Sequence, residues 1–159
     1  MELDITEMAP VRVACLHHTG PYGPPLTEFW NDIFWPWVHA KGLGGRACYG
    51  ISHDNPNVTA PEQCRYDACI EVPDDFEPDG LASVTMLPGG RYAVSHFTGT
   101  AATIGDAWAT LFRDAIPQSG LQPDERPVLE YYPPDANVDA VAGTFECKLC
   151  VPVGAGGPK

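Results

Sequence analysis

The stretches VRVACLHHTG, residues 11–20, and GRYAVSHFTG, residues 90–99, are two versions of one segment. At an offset of 79 they share Arg12/Arg91, Ala14/Ala93, His17/His96, Thr19/Thr98 and Gly20/Gly99. Five identities in ten residues mark an internal repeat, and a repeat constrains the architecture before any single element is assigned.

The segments that come after the two copies agree in type. PPLTEFWNDIFWPWVHAKGL places Leu26, Phe29, Trp30, Ile33, Phe34, Trp37 and Val38 at helical spacing, and ATIGDAWATLFRDAIPQSGL does the same with Ile104, Ala107, Trp108, Leu111, Phe112, Ala115 and Ile116. Both patterns stop at a glycine, Gly42 and Gly120, the residue that best tolerates a left-handed helix end. Pro36 should kink the first helix and Pro117 should help end the second. Trp35 falls off the apolar stripe, so it is either exposed or recruited by the Pro36 kink. Two strand candidates come next in each copy: GRACYGISH then CRYDACIEVP, and RPVLEYYPP then TFECKLCVPV.

The order strand, helix, strand, strand therefore occurs twice. The expected fold is α+β: two βαββ modules related by a pseudo-twofold, with antiparallel sheets joined around a saddle-shaped groove and one main helix per module. A single domain over residues 1–153 is expected, with modules at about 3–73 and 81–153 and a disordered tail at 154–159. The join DDFEPDGLASVTMLPGG is rich in Asp, Pro and Gly and reads as a loop with a short strand near residues 81–87.

Composition excludes several functions. The formal net charge of −12, with nine basic residues and no two adjacent, argues against direct nucleic-acid binding, which needs clustered Lys and Arg. No apolar run approaches the roughly 18 residues of a membrane span, and no signal peptide opens the chain, so a cytoplasmic location is expected. The six cysteines read as buried thiols. Cys147 and Cys150 form a CxxC, but on a strand they point to opposite faces and cannot share a metal. No metal and no cofactor are expected.

Strand parity nominates the groove. A groove on the face bare of helices would carry Glu146, Lys148 and Cys150, with Asp67, Cys69 and Glu71 in the other module. In the first strands, the set Ala14, Leu16, His18 and Ala93, Ser95, Phe97 is small in its middle and ends in a ring, as a pocket floor would. Tyr131 and Tyr132 are consecutive, so one faces the groove, and parity leaves the choice open. Trp30, Trp37 and Trp108 lie in apolar stripes that favour core packing.

The segments VACLHHTGPY (13–22), SHDNP (52–56), CRYDACIEVP (64–73), PGGRYAVSHFTG (88–99) and TFECKLCVPV (144–153), in this order and spacing, resemble the GyrI-like small-molecule-binding family. That family is related to effector-binding domains of AraC-type and multidrug-sensing regulators and to DNA gyrase inhibitory proteins. The resemblance implies a ligand-binding glutamate on the last strand, at Glu146, and a binding domain that stands alone without a helix-turn-helix. The candidate ligand-binding set is thus Glu146, His18, Phe97, Tyr131, Trp108 and Asp67. The expected function is binding of small hydrophobic, cationic or aromatic molecules, for drug or toxin sequestration or sensing. Two alternatives arise from the same resemblance: contact with DNA gyrase, and hydrolysis of strained electrophiles with Glu146 as general base and Tyr131 or Tyr132 positioning water.

Overall fold

The structure, a computed structural model, describes residues 2–134 and 143–154, together with the backbone of residues 138–139. The expected tail lies, from residue 155 onward, outside the described residues. The chain forms β1 (Asp4–Met8), β2 (Val11–Thr19), helix α1 (residues 24–40), β3 (Cys48–Ser52), β4 (Arg65–Glu71), β5 (Ser83–Leu87), β6 (Gly90–Thr100), helix α2 (residues 104–118), β7 (Leu129–Tyr132), β8 (Val138–Asp139) and β9 (Thr144–Pro152). The strands make one sheet in the order β1-β6-β9-β7-β3-β4-β2-β5, with β8 beside β9.

The order is symmetric about its centre. In the first half β2, α1, β3 and β4 form the βαββ unit; β6, α2, β7 and β9 form it in the second. The halves meet where β3 pairs with β7, and Tyr49 lies opposite Tyr131 at the middle of that seam. Each half also lends a strand to the other: β1 pairs with β6, and β5 pairs with β2. Strand β1 is an addition to the sequence reading, whereas β5 falls where the short strand was expected.

Directly opposed residues share a sheet face, so the register assigns every side chain. On one face Ala14, Leu16, Tyr66, Ala68, Ile70 and Cys48 pack under α1, burying Phe34 and Val38 completely. On the same face Ala93, Phe97, Cys147, Leu149 and Val151 pack under α2 with Leu111 and Ile116. Complete burial of a Phe or Leu stabilises by about 1.5–3 kcal/mol, so these two patches fix both helices. The far face curls on itself around Val13, Cys15, Tyr49, Cys69, Tyr92 and Leu129. Among the described residues no helix is long and apolar enough to cross a membrane.

Both helices contain a π-helical turn, Trp30–Phe34 in α1 and Leu111–Ala115 in α2. A proline stands two residues beyond the end of each turn, Pro36 and Pro117, and the helix continues past it. Pro117 therefore occupies the same place as Pro36 rather than ending its helix. The extra residue in each turn shifts the phase of the apolar stripe. Ile33 and Phe112, expected in the stripe, are 48% and 41% exposed as a result. Gly42 and Gly120 end the helices at φ 69° and 72°, the left-handed values their positions required.

Candidate functional site

Strand β7 reads Leu-Glu-Tyr-Tyr, and its position beside the seam decides what each side chain meets. Leu129 and Tyr131 belong to the far face, where the Tyr131 and Tyr49 rings sit 5.4 Å apart. Glu130 and Tyr132 take the opposite face, between the two helices. Glu130 is 6% exposed, a carboxylate at the centre of the molecule. Its Oε1 accepts hydrogen bonds from Tyr66 Oη at 2.9 Å and Tyr132 Oη at 3.0 Å. Trp30 Nε1 donates to Tyr66 Oη at 3.2 Å, extending the chain of donors into α1. The buried indole N–H of Trp108 completes no hydrogen bond of good geometry, yet it lies close enough to Glu130 to favour the ionised form.

Burial raises the Glu130 pKa above the usual glutamate value, and the phenol and indole donors only partly oppose that rise. Among the described residues no Lys, Arg or His pairs with it. An unpaired carboxylate in such surroundings is expensive unless it is protonated or meets a cation from outside.

Gly50 makes this arrangement possible. It stands directly opposite Glu130 across the seam. A Cβ there would lie 2.5 Å from Glu130 Oε1 and would overlap Tyr66 Oη. The glycine thus leaves the gap that the carboxylate and phenol fill.

Above Glu130 lies a cavity of about 150 Å³ between the helices. Its walls are Leu26, Trp30 and Trp35 from α1, and Ala101 and Ile104 at the start of α2. Its floor is Tyr66, Glu130, Tyr132 and Phe145 from the sheet. Trp35 reaches the cavity because of the π turn: its N–H bonds to the carbonyl of Trp30, and the two rings lie 5.8 Å apart. The recruited alternative for Trp35 is the one the structure shows. A space of this size accepts roughly one benzene-sized ring, and because it opens to solvent between the helices the rest of a larger ligand can stay outside.

The expected site residues fall on both sides of the sheet. Glu146 lies opposite Thr98 on the far face, 3.6 Å from His96 Nε2, and does not line the cavity. Asp67 shares that face and joins His17 Nδ1 at 2.8 Å and His53 Nε2 at 2.7 Å. Tyr131 is there too, so Tyr132 is the tyrosine of the cavity. Phe97 is on the cavity side but one layer behind, its ring 5.7 Å from that of Phe145. Trp108 packs behind Glu130 in the α2 patch. His18 lies opposite Tyr66 and packs on Phe29 at 5.0 Å, outside the cavity lining, with burial lowering its pKa.

One assumption produced these displacements. The groove was placed on the face without helices, but each helix covers only its own half and leaves the seam open between them. The register also shows the two nominated sets to be incompatible: Phe97 lies opposite Cys147, so the Phe97 set and the Glu146 set occupy opposite faces. Glu130 was missed, although one signal was available: it is the acidic residue inside the apolar strand VLEYY. Cys147 and Cys150 do lie on opposite faces, in the α2 patch and the far-face cluster respectively.

A curled antiparallel sheet, two flanking helices and a ring-lined cavity over one carboxylate define a domain that holds small molecules. The chain belongs to the family described as the GyrI-like small molecule binding domain, whose profile matches residues 1–154. A DNA gyrase inhibitor of Edwardsiella piscicida is 30% identical over 158 residues, covering 96% of this chain and 98% of that one. The C-terminal domain of EcmrR superposes with a TM-score of 0.75 at 14% identity, covering 96% and 97% of the two chains. The structure of SAV2435 bound to tetraphenylphosphonium superposes with a TM-score of 0.54 at 16% identity, covering 98% and 95%.

Proposed function

We propose that this protein binds small lipophilic cations carrying at least one aromatic ring, with Glu130 as the counter-charge. The observation that carries the reading is a buried carboxylate that has no cationic partner among the described residues, set under the rings of Trp30, Trp35, Tyr66 and Tyr132. A delocalised cation entering this space gains from the negative charge and from the ring faces together, by cation–π contact. The tetraphenylphosphonium bound by SAV2435 is a molecule of that class, which supports the choice of probe. Sequestration or sensing of toxic compounds would result from such binding.

The test compares tetraphenylphosphonium with neutral tetraphenylmethane by tryptophan fluorescence, in the native protein and in Glu130→Gln. Removing one side of a buried charge pair typically costs about 2–5 kcal/mol, so cation affinity should fall roughly 30-fold or more. Affinity for the neutral probe should stay within about threefold. Equal loss for both probes would show that Glu130 maintains cavity shape and does not serve charge.

A second reading, contact with DNA gyrase, is supported by the name of the Edwardsiella relative and by the net charge of −12. A supercoiling assay tests it directly: inhibition that survives Glu130→Gln would assign the activity to the outer surface.

A further inference from the structure

Six cysteines are free thiols, and all are buried. Two of them stand apart by geometry. Cys15 on β2 and Cys69 on β4 are directly opposed in the antiparallel register. Their Sγ atoms are 2.7 Å apart, with Cys15 6% and Cys69 0% exposed. Opposed antiparallel residues have Cα separations of about 4.5–5.5 Å, within the window that a disulfide spans without backbone movement. Cys150 belongs to the same far-face cluster but sits on β9, opposite Val94 and Leu129. Module two has no equivalent pair, because the repeat replaces Cys15 by Val94, which stands opposite Cys150.

We propose that Cys15 and Cys69 are an oxidative modification site, closing a reversible cross-strand disulfide when the protein meets a peroxide. One sulfur, as thiolate, attacks a peroxide oxygen; the O–O bond breaks and hydroxide leaves, taking up a proton to become water. The resulting sulfenic acid faces the second sulfur, which attacks it. The S–O bond breaks, a second water leaves, and the S–S bond forms. In total two thiols lose two electrons and two protons, and one hydrogen peroxide becomes two waters. The facing thiol captures the sulfenic acid before it can oxidise further.

Burial and the adjacent thiol raise the Cys69 pKa, which keeps the thiolate scarce. Attack therefore waits for the far face to open, and the bond forms as a slow clasp, not as a rapid sensor. Once closed, it ties the loop from residue 15 to residue 69. That loop contains α1 with Trp30 and Trp35, β3 with Gly50, and Tyr66 of β4, so the clasp restrains one wall of the cavity from behind.

Fully reduced native protein should be treated with hydrogen peroxide, alkylated, digested and mapped by mass spectrometry. The expected product is one linked peptide pair joining Cys15 to Cys69, lighter by two hydrogens and reversed by dithiothreitol. The unfolding midpoint should rise by roughly 5–15 °C on oxidation, as expected for closing a loop of this length. Cys15→Ala and Cys69→Ala should each abolish both the linked peptide and the rise. Recovery of Cys15 and Cys69 as alkylated thiols, as separate sulfinic acids, or linked to another cysteine would overturn the proposal. So would a thermal gain that persists in either alanine variant.

Discussion

Gly50→Ala adds a single methyl group at the seam, directly opposite Glu130. Gly50 is not among the glycines with positive φ, so alanine can adopt its backbone conformation without strain. The effect should be purely steric. The new Cβ would stand 2.5 Å from Glu130 Oε1 and 2.9 Å from Tyr66 Cζ, and it would overlap Tyr66 Oη. Real Cβ atoms do not approach that closely, so the carboxylate and the phenol must move apart. Overpacking of a buried position costs about 1–3 kcal/mol. Losing the Tyr66–Glu130 hydrogen bond while both groups stay buried adds about 1–3 kcal/mol. The sum, about 2–6 kcal/mol, corresponds to a fall in unfolding midpoint of roughly 5–20 °C for a domain of this size. Differential scanning calorimetry measures it. Gly50→Ala combined with Tyr66→Phe should recover part of the loss, because the overlapping hydroxyl is gone. If Gly50→Ala unfolds with the native midpoint and binds tetraphenylphosphonium with native affinity, the glycine does not make room for the carboxylate and the description of the floor is wrong.

Glu130 also sets a pH dependence. A carboxyl whose pKa is raised on folding keeps its proton longer in the native state, so its contribution is intact below the ordinary glutamate pKa of about 4.3 and is lost as pH rises through the raised value. Glu130→Gln should therefore be more stable than the native protein at neutral pH and match it near pH 4, as denaturant titrations at the two pH values would show. Over that same interval, affinity for a permanently charged cation should rise with pH in the native protein and stay flat in Glu130→Gln. Trp35→Ala removes a half-buried cavity wall, so cation binding should weaken by about 1–2 kcal/mol with little change in the urea midpoint; a large stability loss would assign Trp35 to the core. Glu146→Gln, on the far face, should leave tetraphenylphosphonium affinity within about threefold of native by fluorescence titration, and a larger loss would move the site across the sheet.

The repeat was readable because it is written in side chains that do the same job twice: the two HxTG turns, the two helix-ending glycines and the two apolar final strands. The βαββ order can be read from these alone. The site was harder to read because it lies where the repeat is broken. The sheet register places Cys48 and Gly50 of the first half where the second half has Glu130 and Tyr132. Period-2 parity sorts residues within one strand, but which face of the sheet carries the cavity depends on how far each helix reaches, and that is a tertiary property. The His17–Asp67 and His96–Glu146 pairs show the hazard of relying on the repeat. They are conspicuous because they recur, and they recur on the outer face. The π turns were invisible for a related reason: a strict 3.6-residue stripe has no place for an inserted residue, so Ile33 was assigned inward and Trp35 was left undecided.

The exchange of β1 and β5 between the halves has a consequence for how the chain is made. Synthesis proceeds from the N-terminus, and domains ordinarily begin to fold as they emerge. Here residues 4–8 have their partner at residues 90–94, and β2 is flanked on its outer side by residues 83–87. The first half thus leaves the ribosome with one strand that has nothing to join and two strand edges left bare, β2 waiting for β5 and β3 for β7. A bare edge carrying a run of apolar residues, Val13 to Leu16 in β2, invites pairing with a neighbouring chain. When the join at residues 74–82 has just appeared these groups are all unpaired, and β1 and the β2 edge gain partners when β6 and β5 arrive. A pause in translation at the join would lengthen that exposure, and a pause after Thr100 would leave β3 and β6 still waiting for β7 and β9.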